Sequence, residues 1–563
     1  MSFGSNKGHE NPTRTENTEW SARLRHSRPN IHDLSFILHP SHDVSKPEKE
    51  LTPPSARNVA DSEEPIIVGR ACYVLGVSQT LMDHMIKTYF KNMVAISLLH
   101  EPKFREKINN IESASQVHAL LAAMFAYAAR FHPPDDDNPD IGFEEIKGTH
   151  RRAAHFLNLA LIYIDDALKE CGDEAPPLCI LQALIISTHC QLTQGVRGKA
   201  WRSLGMCVRL AYELNLHLVD GEDVKDIRAV DPNQWCDNEE KRRAWWAIWE
   251  MDVFASTIRR TPTAVDWSQI ETFLPVEDKY WFQNQPRPSC FMESDPIYRW
   301  KALQECGNQS SKAWFLVINS LMKEAQMISS PRGVPYTHQL DEREPQQVTN
   351  RYHGRSRDIS IESHQRLETL SNSVLCFGLA LPAYLKYRNQ YLSFDSTVSG
   401  HMGSLRQLHC GIHNIFVMTQ LARLMIHRYN VFGGPARATH DSHYTAAGTS
   451  NNSALRNNFP SSTHDIEELS LRQYFEAADS ILAIVYRSSD DHIQYINPFL
   501  SSTIWLASAV QLVHKEFGPP GTNRSLVKSK FEVLYMTYKR CVRFWDTQTA
   551  LQQNLEMLEA QLE

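Results

Sequence analysis

A chain of 563 residues with 42% hydrophobic side chains, 10% aromatics and twelve tryptophans has room for substantial cores. That composition excludes wholesale disorder, collagen and a multi-span membrane protein. A formal net charge of −7 excludes a chain whose whole surface binds nucleic acid, so any DNA contact would need a local basic patch or a separate module.

The polar opening MSFGSNKGHENPTRTENTEW lacks the apolar run of a secretory leader, and no later stretch reaches the roughly eighteen apolar residues of a membrane span, so an intracellular protein is expected. Residues 1–65 carry no periodicity apart from the island Leu34–Leu38 and are expected to be mostly disordered. Within them, Arg23, Arg25 and Arg28 form a small basic cluster that could make weak, salt-sensitive phosphate contacts without reading bases.

The helical pattern begins at Val77–His100, with Val77, Leu81, Met85, Tyr89 and Met93 four apart on one stripe. Gln116–Phe131 is apolar nearly all round and should be central. Asp135, Asp136, Asp137 and Asp140 read as a solvated loop, since calcium would want a glycine turn and a closing glutamate. Thr149–Glu170 should present Phe156, Leu159, Leu161 and Ile162, and stop before Gly172. Pro177–Leu192, Gly198–Leu216, Glu239–Arg260 and Lys312–Ile328 continue the series to close a helical body over 66–328. Residues 329–362 read as a flexible charged insertion. A C-terminal helical region, 363–563, follows with helices near 363–390, 403–430, 466–487, 499–516, 525–545 and 548–562, interrupted by a disordered loop at 433–465. The expected class is all-α, a multi-helix bundle or solenoid of antiparallel helices.

Catalytic signatures are missing: no G-x-S-x-G, phosphate loop, dinucleotide fingerprint or H-E-x-x-H occurs. His409 and His413 share a helix face around Cys410, yet no carboxylate or third ligand is signalled beside them, and partly buried core histidines are the plainer reading. The eleven cysteines are expected to be reduced. In the final helix Leu551, Leu555, Leu558 and Leu562 make one apolar stripe on an acidic segment. That is either a terminal cap of the bundle or an activation helix for a coactivator groove.

The densest stretch is Asp237–Pro275. Glu239 and Glu240 stand at its expected helix start, followed by Arg242, Arg243, Trp245, Trp246, Trp249 and Asp252, and Pro262 ends the helix. Three tryptophans in five residues cannot all face water, so this helix should be wedged between neighbours. Asp252 should need a cationic partner, with Arg242, Arg243, Arg259 or Arg260 in reach. The constellation reads as a rigid core with a satisfied ion pair, or as a tryptophan-lined cavity for a small inducer.

This stretch resembles the regulatory domain of fungal-specific transcription factors, the middle homology region of zinc-binuclear-cluster regulators. Arg242-Arg243-Ala244-Trp245-Trp246 and Asp252 match the family's R-R-x-W-W and following aspartate. Ala119–Arg130, Gln182–Leu184 and Gly198–His217 look like its preceding helices. The family's Gly-Arg before the proline is Arg260-Thr261 here. The resemblance implies a nuclear regulator of RNA polymerase II transcription, not an enzyme, with dimerisation, coregulators and a small-molecule inducer as candidate partners and no membrane. It also implies a zinc-cluster DNA reader, but this chain has no C-x-x-C, and its closest cysteines, Cys171 and Cys179, lie eight apart. Zinc is therefore expected only in a cluster upstream, and DNA would otherwise be read through a partner. A cytosolic helical scaffold and a metabolic enzyme on an all-α frame are the alternatives. The first would lack the R-R-x-W-W constellation, and the second would need convergent acid, base or metal groups.

Overall fold

The computed structural model describes residues 66–132, 149–221, 230–329, 349–395, 404–433, 463–547 and 550–562. The cluster Arg23, Arg25 and Arg28, the island Leu34–Leu38, the acidic run 135–140 and residues 434–462 of the stretch expected as a loop at 433–465 lie outside them. The fold is all-α; an isolated parallel bridge joins Leu392 and Ser488. No described helix is long and apolar enough to cross a membrane.

Helix α1 (Ile66–Leu75) leads into α2 (Gln79–Asn92), where the Ser78 hydroxyl accepts from the Leu81 amide as an N-cap. The α2 stripe is buried as its spacing predicts, but the helix stops at Asn92 rather than running to His100. After the short α3 (Phe104–Asn109), α4 (Ala114–Ala128) is buried on every side from Val117 onward. It packs along α5 (Thr149–Cys171) with Phe125 edge-on to Phe156. The buried face of α5 is Phe156, Leu157, Ala160, Ile164 and Ala167, while Ile162 is exposed, a rotation from the expected face. Gly172 then turns the chain at φ +61, where a side chain would be strained.

Helix α6 (Leu178–Gln194) is the second central element, buried from Ile180 to Thr193, and α7 (Gly198–Glu213) flanks it. Helix α8 (Pro232–Arg259) starts seven residues before Glu239, with Asp231 accepting from the Gln234 amide and proline at the first position. Glu239 and Glu240 are thus buried in mid-helix instead of decorating its start. Short helices α9 (Asp278–Phe282) and α10 (Pro296–Cys306) come next, and α11 (Ser311–Ile328) follows behind a Ser310 cap. Helix α12 (Thr349–Ala380) begins inside the stretch read as an insertion and ends just before Leu381-Pro382, because the residue ahead of a proline disfavours the helical region.

Helices α13 (Leu405–Gly433), α14 (Thr463–Tyr486), α15 (Ser501–Phe517), α16 (Arg524–Trp545) and α17 (Ala550–Leu562) complete the body. Residues 66–328 and the C-terminal helices share one hydrophobic core, with α11 packed along α13. Polar bonds also join the two stretches: Arg130 donates to the Trp545 carbonyl at 3.0 Å, and Arg406 to the Asn92 side chain at 3.1 Å. Leu555 is fully buried against Ala509, Leu512 and Phe531, and the Trp505 indole donates to the Leu551 carbonyl at 2.7 Å. Leu551, Leu555 and Leu558 of the α17 stripe are therefore packed on the fold itself. No disulfide joins any of the eleven cysteines.

Candidate functional site

The two arginines of R-R-x-W-W anchor the chain on both sides of α8. Arg242 grips Asp220 bidentately, Nε to Oδ2 at 2.9 Å and Nη2 to Oδ1 at 2.6 Å, and reaches Glu239 at 3.3 Å. Arg243 binds Glu239 at 2.9 Å, Asp278 at 2.5 Å and the Val276 carbonyl at 2.7 Å, with its guanidinium 4.0 Å from the Trp281 ring centre. Glu239 also accepts from the Val276 amide, and Asp220 from the Phe273 amide. Burial alone would lower both guanidinium pKa values; Asp220 and Glu239 around Arg242, and Asp278 and Glu239 around Arg243, outweigh it and leave both raised. The arginines stay charged and staple segment 273–278 to the helix.

The tryptophans do the opposite job. Trp245, Trp246 and Trp249 are at most 1% exposed. Trp245 lies edge-on to Tyr212, the Trp246 indole donates to the Phe273 carbonyl at 2.7 Å, and Trp249 packs between Trp246 and Trp267. None of the three lines the cavity beside Arg243; they are packed as a sealed core.

Asp252 is buried but pairs with no arginine. Its Oδ2 accepts from the Ala264 and Val265 amides at 2.7 and 2.9 Å, and the cation it feels is the buried Lys323 of α11. The arginines of the motif point the other way because they stand more than two turns earlier on α8 and are consumed by Asp220, Glu239 and Asp278. Burial raises the Asp252 carboxyl and pushes the Lys323 ammonium down to about 8. Asp252 thereby fixes the turn that follows α8, where Arg260 takes a left-handed φ of 56° and Thr261 donates to Ser256 ahead of Pro262.

At the arginine end a cavity of about 220 Å³ opens between the loop 94–97, segment 275–279, α11 and α13. Arg243 is the motif residue on its wall. Lys312 of α11 donates to the Ala95 carbonyl at 2.7 Å and pairs with Glu250 of α8. Glu250, 2% exposed, takes a further bond from the Asn497 amide group at 2.6 Å. Asn414 of α13 accepts from the Asn497 backbone, and Gln407 donates to Asp278. Phe315, Leu385, Leu408 and Pro275 supply the apolar surface. Gly411 is required where α13 meets α11, since a Cβ there would stand 2.8 Å from the Ser311 Cβ.

Sequence reasoning missed Glu250, Lys312, Asn414 and Asn497. Glu250 alone left a trace, a carboxylate between Trp249 and Met251 inside an apolar run. The other three are brought together by packing between distant helices. The loop after Asn92 was missed for the same reason: its carbonyls at Ala95, Ser97 and Leu98 are satisfied by Lys312, Arg243 and Gln182, replacing the helical bonds that α2 would have made. His409 accepts from the Phe394 amide, while His413 is buried beside Phe394 and His492. Among the described residues no three His, Cys, Asp or Glu side chains gather where a metal ion could sit.

The fungal specific transcription factor domain matches residues 86–366, a stretch that spans α8 and most of the cavity wall. The chain belongs to that family. Among similar proteins of this fungal-specific transcription factor family, the Zn(2)-C6 fungal-type transcription factor FTF1c of Fusarium oxysporum f. sp. lycopersici is 28% identical over 38% of this chain and 22% of its own length. FTF2 of the same organism is 27% identical over 39% of the chain and 20% of its own length. The transcription factor tazR of Aspergillus terreus is 26% identical over 21% and 18%. The chain thus matches about a fifth of the length of these curated relatives. No solved structure matches it. A binuclear zinc cluster does not fit the cysteines of this family member: ten lie on helices, Cys290 lies between α9 and α10, and no two are closer than eight positions in the sequence.

Proposed function

We propose that the chain is a nuclear regulator of RNA polymerase II transcription, acting through this helical body as the regulatory and effector part. The observation that carries the reading is the family domain over 86–366, together with relatives named as transcription factors. DNA sequence is read by a cysteine cluster upstream of these residues or by a partner chain, and zinc belongs to that reader. Homo- or heterodimerisation, coregulators and a small-molecule inducer are the partners this role calls for, and no catalytic step is assigned. The cavity supports the inducer role, because it is walled by the motif arginine and by elements from both stretches of the chain.

The test fuses the full chain to a heterologous DNA-binding domain and to a fluorescent tag. Nuclear accumulation and a reporter output changed about threefold or more in either direction support the reading. A cytosolic protein that leaves the reporter untouched returns the scaffold alternative. Elemental analysis of the purified chain should find no stoichiometric zinc.

A further inference from the structure

The wall of the cavity beside Arg243 carries charge, and its most buried cations, Arg243 and Lys312, are already paired. Lys312 is neutralised by Glu250 and bonded to the Ala95 carbonyl. Arg243 is neutralised by Glu239 and Asp278, and Asp278 takes a further bond from Gln407. The remaining two ionic residues, Glu277 and Lys279, are of opposite sign and half-buried. An anion taken up by Lys312 would have to draw it away from Glu250 and leave a buried carboxylate without its cation. A cation would have to draw Asp278 away from the buried Arg243. The first exchange strips the buried Glu250 of its cation, and the second leaves the buried Arg243 to Glu239 alone, so both are unfavourable. An uncharged ligand meets no such penalty. It finds an apolar side at Phe315, Leu385 and Leu408 and a polar side at Ser311, Asn414 and Gln309, an arrangement of few polar groups on an apolar wall that suits small-molecule recognition.

From this pairing we infer that the cavity binds an uncharged amphipathic small molecule, with a ring or aliphatic body and a hydroxyl or carbonyl at one end. A dry cavity of about 150 Å³ takes benzene, so the space here admits a ligand of about nine or ten non-hydrogen atoms. This names the chemical class for the inducer proposed above, and it rests on that reading only for its effect on transcription. Such a ligand touches loop 94–97, α11, α13 and the turn holding Asn497 together, so binding ties the two stretches of the body to each other.

Three probes of one shape separate the classes: 2-phenylethanol, phenylacetate and 2-phenylethylammonium, titrated calorimetrically into the full chain. The expected result is saturable binding of 2-phenylethanol with a Kd at least about tenfold below that of either ion. Leu408→Trp, which fills the apolar side, should abolish it with circular dichroism unchanged. Glu250→Gln keeps the shape but removes the charge that neutralises Lys312, and should turn the preference toward phenylacetate. Both ions binding the parent as tightly as the alcohol would overturn the inference. So would a failure of 2-phenylethanol to saturate up to its solubility, or an unchanged order of affinities in a folded Glu250→Gln. The reporter fusion is read separately: binding without a reporter response leaves the ligand class standing and removes the transcription reading, whereas a reporter-active chain that binds none of the probes does the reverse.

Discussion

Two sets of side chains on α8, interleaved between Glu239 and Glu250, use burial for opposite ends. At Trp245, Trp246 and Trp249 the helix is sealed by aromatic rings whose contacts are nearly all apolar. At Glu239, Arg242, Arg243 and Glu250 it is equally buried, yet every one of these side chains is charged and held by specific partners. The first set supplies stability with little chemical selectivity. The second positions loops and a cavity wall, and its pairing decides what charge the cavity tolerates. A single motif thus contains a core and a site, and they meet at Arg243.

The largest effect expected from breaking the sealed end is Trp246→Ala. It removes a fully buried indole and the bond to the Phe273 carbonyl, and should cost about 3–5 kcal/mol in urea unfolding. A cost below about 1 kcal/mol would mean that neighbouring rings collapse into the space and that the core is not rigid. The cavity mouth should survive any folded version of this variant, because Arg243 is held independently.

Asp252 tests whether a buried charge in the same helix is used to hold backbone. Asp252→Ala leaves the Ala264 and Val265 amides without an acceptor and Lys323 without its carboxylate, a loss of about 3 kcal/mol. Asp252→Asn keeps an acceptor for both amides and should recover more than half of that loss in the same assay. Equal costs for the two variants would show that the charge facing Lys323, rather than the backbone bonds, carries the effect.

How much of this was legible in the sequence follows from the range of the interactions. Helix spans such as Thr149–Cys171 and Arg524–Trp545 were readable because periodicity and capping act within a few residues. The partner of Asp252 was not, since Ala264, Val265 and Lys323 come from a turn and another helix. The end of α2 at Asn92 was hidden as well: Val94–Leu99 is apolar enough to continue a helix, and what stops it is the supply of side-chain donors from Lys312, Arg243 and Gln182. The early start of α8 was written locally, in Asp231-Pro232, and was obscured by the charge run at Glu239. The α17 stripe gave its amphipathicity but not its address. Only the packed structure shows Leu555 against Leu512 and Phe531.

Gly411 sharpens the comparison from the cavity side. A methyl there would press on the Ser311 Cβ at 2.8 Å, so Gly411→Ala must push α11 and α13 apart. Overpacking of this kind costs about 1–3 kcal/mol. It should also lower affinity for 2-phenylethanol while the near-ultraviolet signal of the tryptophan cluster stays as in the parent. A stabilised Gly411→Ala would show that the contact relaxes freely and that the helix spacing is not set there.

The last effect is electrostatic, read only as a dependence on pH, and lies at Lys323, on the sealed side. Burial holds its ammonium near 8 in the folded chain against 10.5 for a free lysine, so between those values the unfolded chain binds more protons than the folded one. Raising the pH through that window therefore strengthens the fold, by up to about 1.4 kcal/mol per pH unit where the difference is complete. Below about pH 8 both states are protonated and the contribution is flat. Many other groups titrate in alkali, so the quantity to measure is the difference in unfolding free energy between the parent and Lys323→Met at each pH. Met fills the same volume without a proton to lose. The difference should shift in favour of the parent as pH climbs from 8 toward 10.5. A flat difference across that range would mean that Asp252 and Gln326 solvate the ammonium as well as water does, and that the sealed end of α8 accommodates charge as readily as the arginine end.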